Sequence, residues 1–280
     1  MSTKSMACRT AALVVASMLW LTGAAAADEI KVMTSGGLTA ALLELTPAFE
    51  RATGNKVAIS YGASLGGAPD SIPSRLQRGE PADVVILASQ ALEDLIEQRR
   101  VVRASRVDLA RSRIGMAVRA GAPKPDISSV DALKRALLQA KSIAYSASAS
   151  GVYLSTELFQ RLGIAAQVAA KSQRIESERV ATVVARGDAE IGFQQISELL
   201  PVPGIDYVGP LPPEVQRVTV FSAGVAATAK APDAARAFIR FLASPAAAPA
   251  ITKSGMEPVD RIKTPLKQPA GQAATCVDAS

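Results

Sequence analysis

With 280 residues, 49% of them hydrophobic, the chain is long enough for two modest domains with cores of their own. Its 31 basic and 25 acidic residues give a formal charge of +6, which suits a small anionic ligand, whereas aromatics at 4% with no interleaved basic stripe do not suggest nucleic-acid binding. Histidine is absent, which excludes histidine-based hydrolysis and histidine-ligated metal sites, so neither a metal nor a cofactor is expected.

Lys4 and Arg9 form a basic start, an apolar run spans 11–21, and Ala25-Ala26-Ala27 fits a small-residue cleavage site before Asp28. Residues 1–27 are therefore expected to be a signal peptide that exports a soluble protein to the periplasm. The apolar run is short for a membrane span, and no insertion is expected after cleavage. Losing Lys4 and Arg9 leaves 29 basic against 25 acidic residues, a formal charge of +4. Cys8 departs with the peptide, so Cys276 stands alone and no internal disulfide is expected.

Residues 30–49 read as a short apolar strand, a Ser35-Gly36-Gly37 turn and a helix patterned by Leu38, Leu42, Leu45 and Phe49. Such a unit leaves backbone N–H groups unpaired at the positive end of the helix dipole, a seat for a small anion. Strands then follow at 57–61, 83–87 and 113–118, interleaved with helices at 72–77, 90–99 and 130–139. The second half continues with a strand at 142–145, helices at 153–162 and 179–186, and strands at 190–193 and 218–225. This alternation predicts an α/β fold with mostly parallel sheets. Asp83 reads as structural, the Pro-rich stretch 202–215 as a loop near a hinge, and 176–179 as a solvated helix start capped by Ser177.

Three loops at the carboxyl ends of strands are rich in glycine and hydroxyls: Thr34 to Gly37, Gly62 to Ser64, and Ser146 to Gly151. Each alone is an ordinary turn. Together they predict a shared cleft, because ligands in open α/β sheets lie at that end of the strands. Gly62-Ala63-Ser64-Leu65-Gly66 matches the nucleophile-elbow pattern, but without histidine Ser64 is read only as a hydroxyl donor. No phosphate-loop or dinucleotide fingerprint supports a nucleotide cofactor.

The segments SGGLTAALLELTPAFERATGNKVAISYGAS, GEPADVVILAS, SASASGVYLSTELFQRLGI and VVARGDAEIGF, in this order, resemble the periplasmic molybdate-binding protein family from about Ile30 to Val259. The resemblance implies a two-lobed clamshell of the type II solute-binding fold, with crossings near 112–119 and 218–226. Lobe 1 would hold 28–112 and 226–259, lobe 2 would hold 113–225 with the hinge strands, and 260–280 would be a disordered tail. The family's oxyanion cage takes a serine at the place of Gly37, a second serine matched by Ser64, a helix-start amide matched by Ser150 or Gly151, and a tyrosine at the place of Gln195. Two side-chain donors are thus changed; Gly37 is expected to open room, and the Gln195 carboxamide suits a carboxylated ligand. The chain looks most like the branch that includes aconitate isomerase, on Ser35-Gly36-Gly37, Ile72-Pro73-Ser74-Arg75-Leu76, Ser148 to Ser155, and Gly192-Phe193-Gln194-Gln195.

What the resemblance implies is a periplasmic binding-protein-like chain that holds a small anion, a di- or tricarboxylate, between its lobes and moves the aconitate double bond by an allylic proton shift. Candidate ligand contacts are Ser35, Gly36, Gly37, Ser64, Arg75, Ser148, Ser150, Gly151, Ser177, Gln194 and Gln195. Arg75 is read as a carboxylate fork, against a solvated arginine on a helix face. Tyr153 is the candidate proton carrier, against a packed aromatic. The competing reading is a non-catalytic binding protein for molybdate or a related oxyanion that serves an ABC permease by closing its lobes. A sensor subunit is a third reading. A monomer is expected.

Overall fold

The structure, a computed structural model, describes residues 27–65 and 68–259. Residues 1–26 of the expected signal peptide, the tail 260–280, and Cys8 and Cys276 lie outside the described residues. Strands β1 (Glu29–Thr34), β2 (Lys56–Tyr61), β3 (Val84–Ala88) and β4 (Val107–Ser112) open the chain, and β5 (Ile114–Arg119), β6 (Ile143–Ser146), β7 (Ser172–Ile175), β8 (Ile191–Gln195) and β9 (Ile205–Pro210) follow. The last strands are β10 (Thr219–Val225) and β11 (Glu257–Pro258). They form one sheet in the order β11-β4-β10-β3-β1-β2 and another in the order β7-β6-β8-β5-β9.

Each sheet is the centre of a lobe, and burial on both faces explains the sequence of its inner strands. All five residues of β3 are buried; Val84 and Ile86 join the core on one face, and Val85 and Leu87 join the core on the other. A strand covered on both sides reads as an unbroken apolar run rather than an alternation. The helix Thr39–Thr53 lays Ala41, Leu42, Leu45 and Phe49 on the first sheet, and Phe49 meets Phe238 of helix Pro232–Leu242 with ring centroids 4.9 Å apart. It ends at Gly54, whose φ of 78° provides the left-handed cap. Asp83, as expected, is structural: its carboxylate accepts from the N–H groups of Lys31 at 2.8 Å, Lys230 at 2.7 Å and Ala231 at 3.1 Å.

The sheets are mixed rather than mostly parallel. β1 runs parallel to β2 and β3, and β6 to β7 and β8, but β10 is antiparallel to β3 and β4, and β5 is antiparallel to β8 and β9. The cause is the two crossings: β4 hands over to β5 through Arg113, β9 hands over to β10 through residues 211–218, and each handover starts a strand that runs back from the cleft. The division at residue 225 is corrected likewise, since β10 pairs within the first sheet and the lobe boundary falls ahead of Thr219. Within 202–215 the expected loop contains β9, paired with β5; Pro210 ends this edge strand and Pro203, Pro212 and Pro213 flank it, where a missing N–H breaks no inner ladder.

The crossings are tied to each other. Gln216 accepts from the Ile114 N–H and donates to the Ile114 carbonyl, both at 2.9 Å. Among the described residues, no helix is long and apolar enough to cross a membrane.

Candidate functional site

Between the lobes lies a cavity of about 490 Å3. Lobe 1 lines it with Ser35, Gly36, Gly37, Thr39, Leu43, Tyr61, Gly62, Ala63, Asp70 and Phe221. Lobe 2 contributes Ser146 to Ser150, Ile175 to Arg179, Gln194, Gln195 and Glu198. Two hydrogen bonds span the lobes beside it: the Ser64 N–H donates to Ser148 Oγ at 3.3 Å, and Gln195 Nε2 donates to Thr219 Oγ1 at 3.0 Å.

Of the candidates read from the sequence, Ser35, Gly36, Gly37, Ser148, Ser150, Ser177, Gln194 and Gln195 are brought together on these walls. Ser35 precedes a helical turn, Gly36–Leu38, that runs straight into the helix Thr39–Thr53. The positive end of this helical run, at Gly36 and Gly37, therefore lies on the cavity wall. Ser35 Oγ, Thr39 Oγ1 and Gln195 Oε1 are buried and have no hydrogen-bond partner among the described residues. A buried polar atom left unpaired costs about 1–3 kcal/mol, a deficit that a hydrogen-bonding ligand removes.

The other candidates do not line the cavity. Ser64 is buried and its Oγ accepts from the Ala88 N–H at 3.0 Å, so it ties a loop to β3. Arg75 is committed elsewhere: Nε donates to Glu80 at 2.9 Å, Nη2 pairs with the other Glu80 oxygen and donates to Ser60 Oγ at 3.1 Å, and Nη1 donates to the Tyr61 carbonyl at 3.0 Å. The hydrogen bond to Glu80 raises the Arg75 pKa, and the guanidinium buttresses the end of β2 instead of lining the cavity. Gly151 is glycine because its helix start presses on β6; a Cβ there would stand 1.6 Å from the Ser146 carbonyl oxygen. Tyr153 is buried away from the cavity, its hydroxyl donates to the Val215 carbonyl at 2.8 Å, and its ring packs under Arg217 at 4.6 Å. It braces the second crossing, where it has no access to a ligand.

Two expectations about the walls also change. Gly37 does not open room, because the Phe221 ring fills the space and its nearest atom lies 2.5 Å from where a Cβ would stand. Nor does Ser177 cap the helix Val180–Arg186; the carboxamide oxygen of Gln194 accepts the Val180 N–H at 3.0 Å instead.

Two charged residues went unrecognised in the sequence. Arg179, read as part of a solvated face, is the one basic residue lining the cavity among the described residues. Its guanidinium has no hydrogen-bond or ion-pair partner among them, whereas its acidic neighbours are engaged: Glu178 pairs with Arg186 at 2.7 Å and Glu176 with Arg174 at 3.2 Å. The available signal was an arginine at the positive end of a helix, where a cation is not stabilised. Glu198 is the second. It sits on the short helix Ile196–Leu199 directly after β8, with its Oε1 only 1.9 Å from where a Gly36 Cβ would stand. Burial pushes its carboxyl up to about 7, against the pull of the Arg179 charge and hydrogen bonds from the Gln194 carboxamide and the Gln195 backbone N–H. An arginine with no hydrogen-bond or ion-pair partner among the described residues thus shares one cleft with hydroxyl groups, a helix start and a carboxyl raised to about 7.

A family model for bacterial extracellular solute-binding proteins matches residues 30–257. Aconitate isomerase from Pseudomonas sp is 50% identical over 230 residues, covering 82% of this chain and 88% of that one. The molybdate-binding protein of Azotobacter vinelandii is 28% identical over 63% of this chain and 68% of its own. The solved structure of the periplasmic molybdate-binding protein from Azotobacter vinelandii superposes with a TM-score of 0.67 at 22% identity, over 81% of this chain and 98% of the other. Two lobes, two crossings and an interlobe cleft agree with these matches as a type II solute-binding clamshell. The chain belongs to the family of bacterial extracellular solute-binding proteins.

Proposed function

We propose that this protein works in the periplasm, after export on its signal peptide, and isomerises a small unsaturated tricarboxylate, interconverting cis- and trans-aconitate in the interlobe cleft. The observation that carries the reading is the unpaired Arg179, which shares with a helix start and unpartnered hydroxyls a cavity walled on one side by the Phe221 ring. A compact tetrahedral oxyanion is held by short donors on every side, and a phenyl ring is not a donor. A tricarboxylate offers both faces this cleft asks for, carboxylates for Arg179 and the helix start, and a carbon skeleton for the ring. The 50% identity to a protein named aconitate isomerase supports the same assignment.

Thermal shifts of the mature chain with both aconitates, citrate, molybdate, tungstate and sulfate, followed by proton NMR of the aconitate samples, test it. The expected result is a shift with the carboxylates and interconversion of the aconitates. A large shift with molybdate and unchanged aconitate spectra would replace this reading with non-catalytic binding of an oxyanion for an ABC permease. That second reading draws on the clamshell itself and its hydrogen bonds between lobes, since closure alone serves delivery.

A further inference from the structure

We propose that Glu198 is the proton carrier of the cleft. This rests on the isomerase reading and adds the residue that performs it. The reaction needs a group within reach of both ends of an allylic system, and without histidine the candidates are carboxyls, tyrosines and lysines. No lysine lines the cavity among the described residues, Tyr61 is half exposed at its edge, and Glu176 and Glu178 are exposed and paired with arginines. Asp70 is exposed as well, and Asp83 is buried but spends both oxygens on backbone N–H groups away from the cavity. Glu198 is the buried carboxyl of the cleft wall, and three features fix where it points. Gln194 and the Gln195 N–H hold it from its own lobe, and the bare backbone of Gly36 admits it from the other.

The step balances with no further reagent. One Glu198 oxygen takes a proton from the methylene carbon of cis-aconitate, so a C–H bond breaks, an O–H bond forms, and the electron pair spreads across the three allylic carbons into the adjoining carboxylate. The O–H bond then breaks as a C–H bond forms at the far carbon, which leaves the double bond moved and Glu198 again a carboxylate. Arg179, whose charge already acts on Glu198, is placed to steady the carboxylate that receives the electrons. A carboxyl titrating near 7 is matched to both halves of such a transfer.

Glu198 also stands where a capping glutamate stands, third in its helix with a bond back to the Gln195 N–H, and a purely structural role predicts different behaviour. Glu198→Gln keeps the shape and an acceptor for that N–H but cannot carry the proton. In wild type, E198Q and G36A we would follow cis-aconitate in D2O by NMR, its binding by calorimetry, and thermal unfolding. The expected result for E198Q is a loss of about 10²- to 10⁴-fold in kcat and in deuterium uptake, with affinity close to wild type and a folded protein that is no less stable at neutral pH. G36A, which displaces the carboxyl, should lose turnover as well. An active wild type with E198Q within about threefold of it overturns the assignment, as does an E198Q that loses binding in step with turnover. A wild type that binds aconitate without interconverting it overturns the isomerase reading itself, and that failure shows in the unmutated protein.

Discussion

The two walls of the cleft are built differently. Lobe 1 presents backbone and apolar surface: the Gly36-Gly37 helix start, the Phe221 ring and two buried hydroxyls, Ser35 and Thr39. Lobe 2 presents a cation and a buried carboxyl, with Arg179 at the start of the helix after β7 and Glu198 on the helix after β8. Neither wall is complete alone. Lobe 1 can seat an anion, but its ionisable groups there, Asp70 and Tyr61, are exposed; lobe 2 has the buried carboxyl but relies on Gly36 of the other lobe to make space for it. The proposed chemistry therefore needs both walls together, and the Gln195–Thr219 and Ser64–Ser148 hydrogen bonds join them.

Removing the lobe 2 cation should have the largest effect. Arg179→Ala is expected to weaken aconitate binding by about 100-fold or more, on the order of 3 kcal/mol for charge-assisted hydrogen bonds to a carboxylate, with unfolding unchanged. Calorimetry checks it, and a wild-type affinity in R179A would move the anion seat wholly onto lobe 1. A comparable magnitude applies to pH and stability. The Glu198 carboxyl binds its proton more tightly in the folded chain, so its stabilising contribution is fully present below about 4.5 and is lost as pH rises through about 7. The loss is at most about 3 kcal/mol, and thermal unfolding of wild type against E198Q across that range should show it in wild type alone.

Smaller effects separate scaffold from site within lobe 1. Arg75→Ala should lower stability by about 1–2 kcal/mol through lost hydrogen bonds to Glu80 and the Tyr61 carbonyl, yet leave aconitate affinity nearly unchanged. Denaturant unfolding and calorimetry on the same sample distinguish this from a ligand clamp. Ser35→Ala should cost about 1 kcal/mol of ligand binding, with the free protein as stable as wild type or more so, because the hydroxyl removed is an unpaired buried one.

The same contrast explains what could be read from the sequence. The seat was legible because it is local: a strand, two glycines and a helix are contiguous, as are β6 and the serine-rich helix start after it, and Gln194 and Gln195 stood out at the end of a strand. The charged wall was not. Arg179 looks like an ordinary solvated residue until the fold sets it on the wall of the interlobe cavity, and Glu198 is unremarkable until Gly36, far away in sequence, makes room for it. Arg75 misled for the opposite reason, as a fork beside a glycine-rich loop whose partner, Glu80, lies five residues on. β10 was assigned to the wrong lobe because its apolar run fits either sheet, and only the pairing with β3 and β4 decides.

The most direct test is a proton NMR time course of the purified mature protein with cis-aconitate in D2O at neutral pH. Signals of trans-aconitate should grow until the two isomers reach a fixed ratio, approached equally from the trans isomer, and should stay at the uncatalysed level when Arg179 is replaced by alanine. An unchanged cis-aconitate spectrum with the unmutated protein, under conditions where calorimetry shows the ligand bound, would contradict a cleft that performs chemistry and leave one that only closes on its ligand.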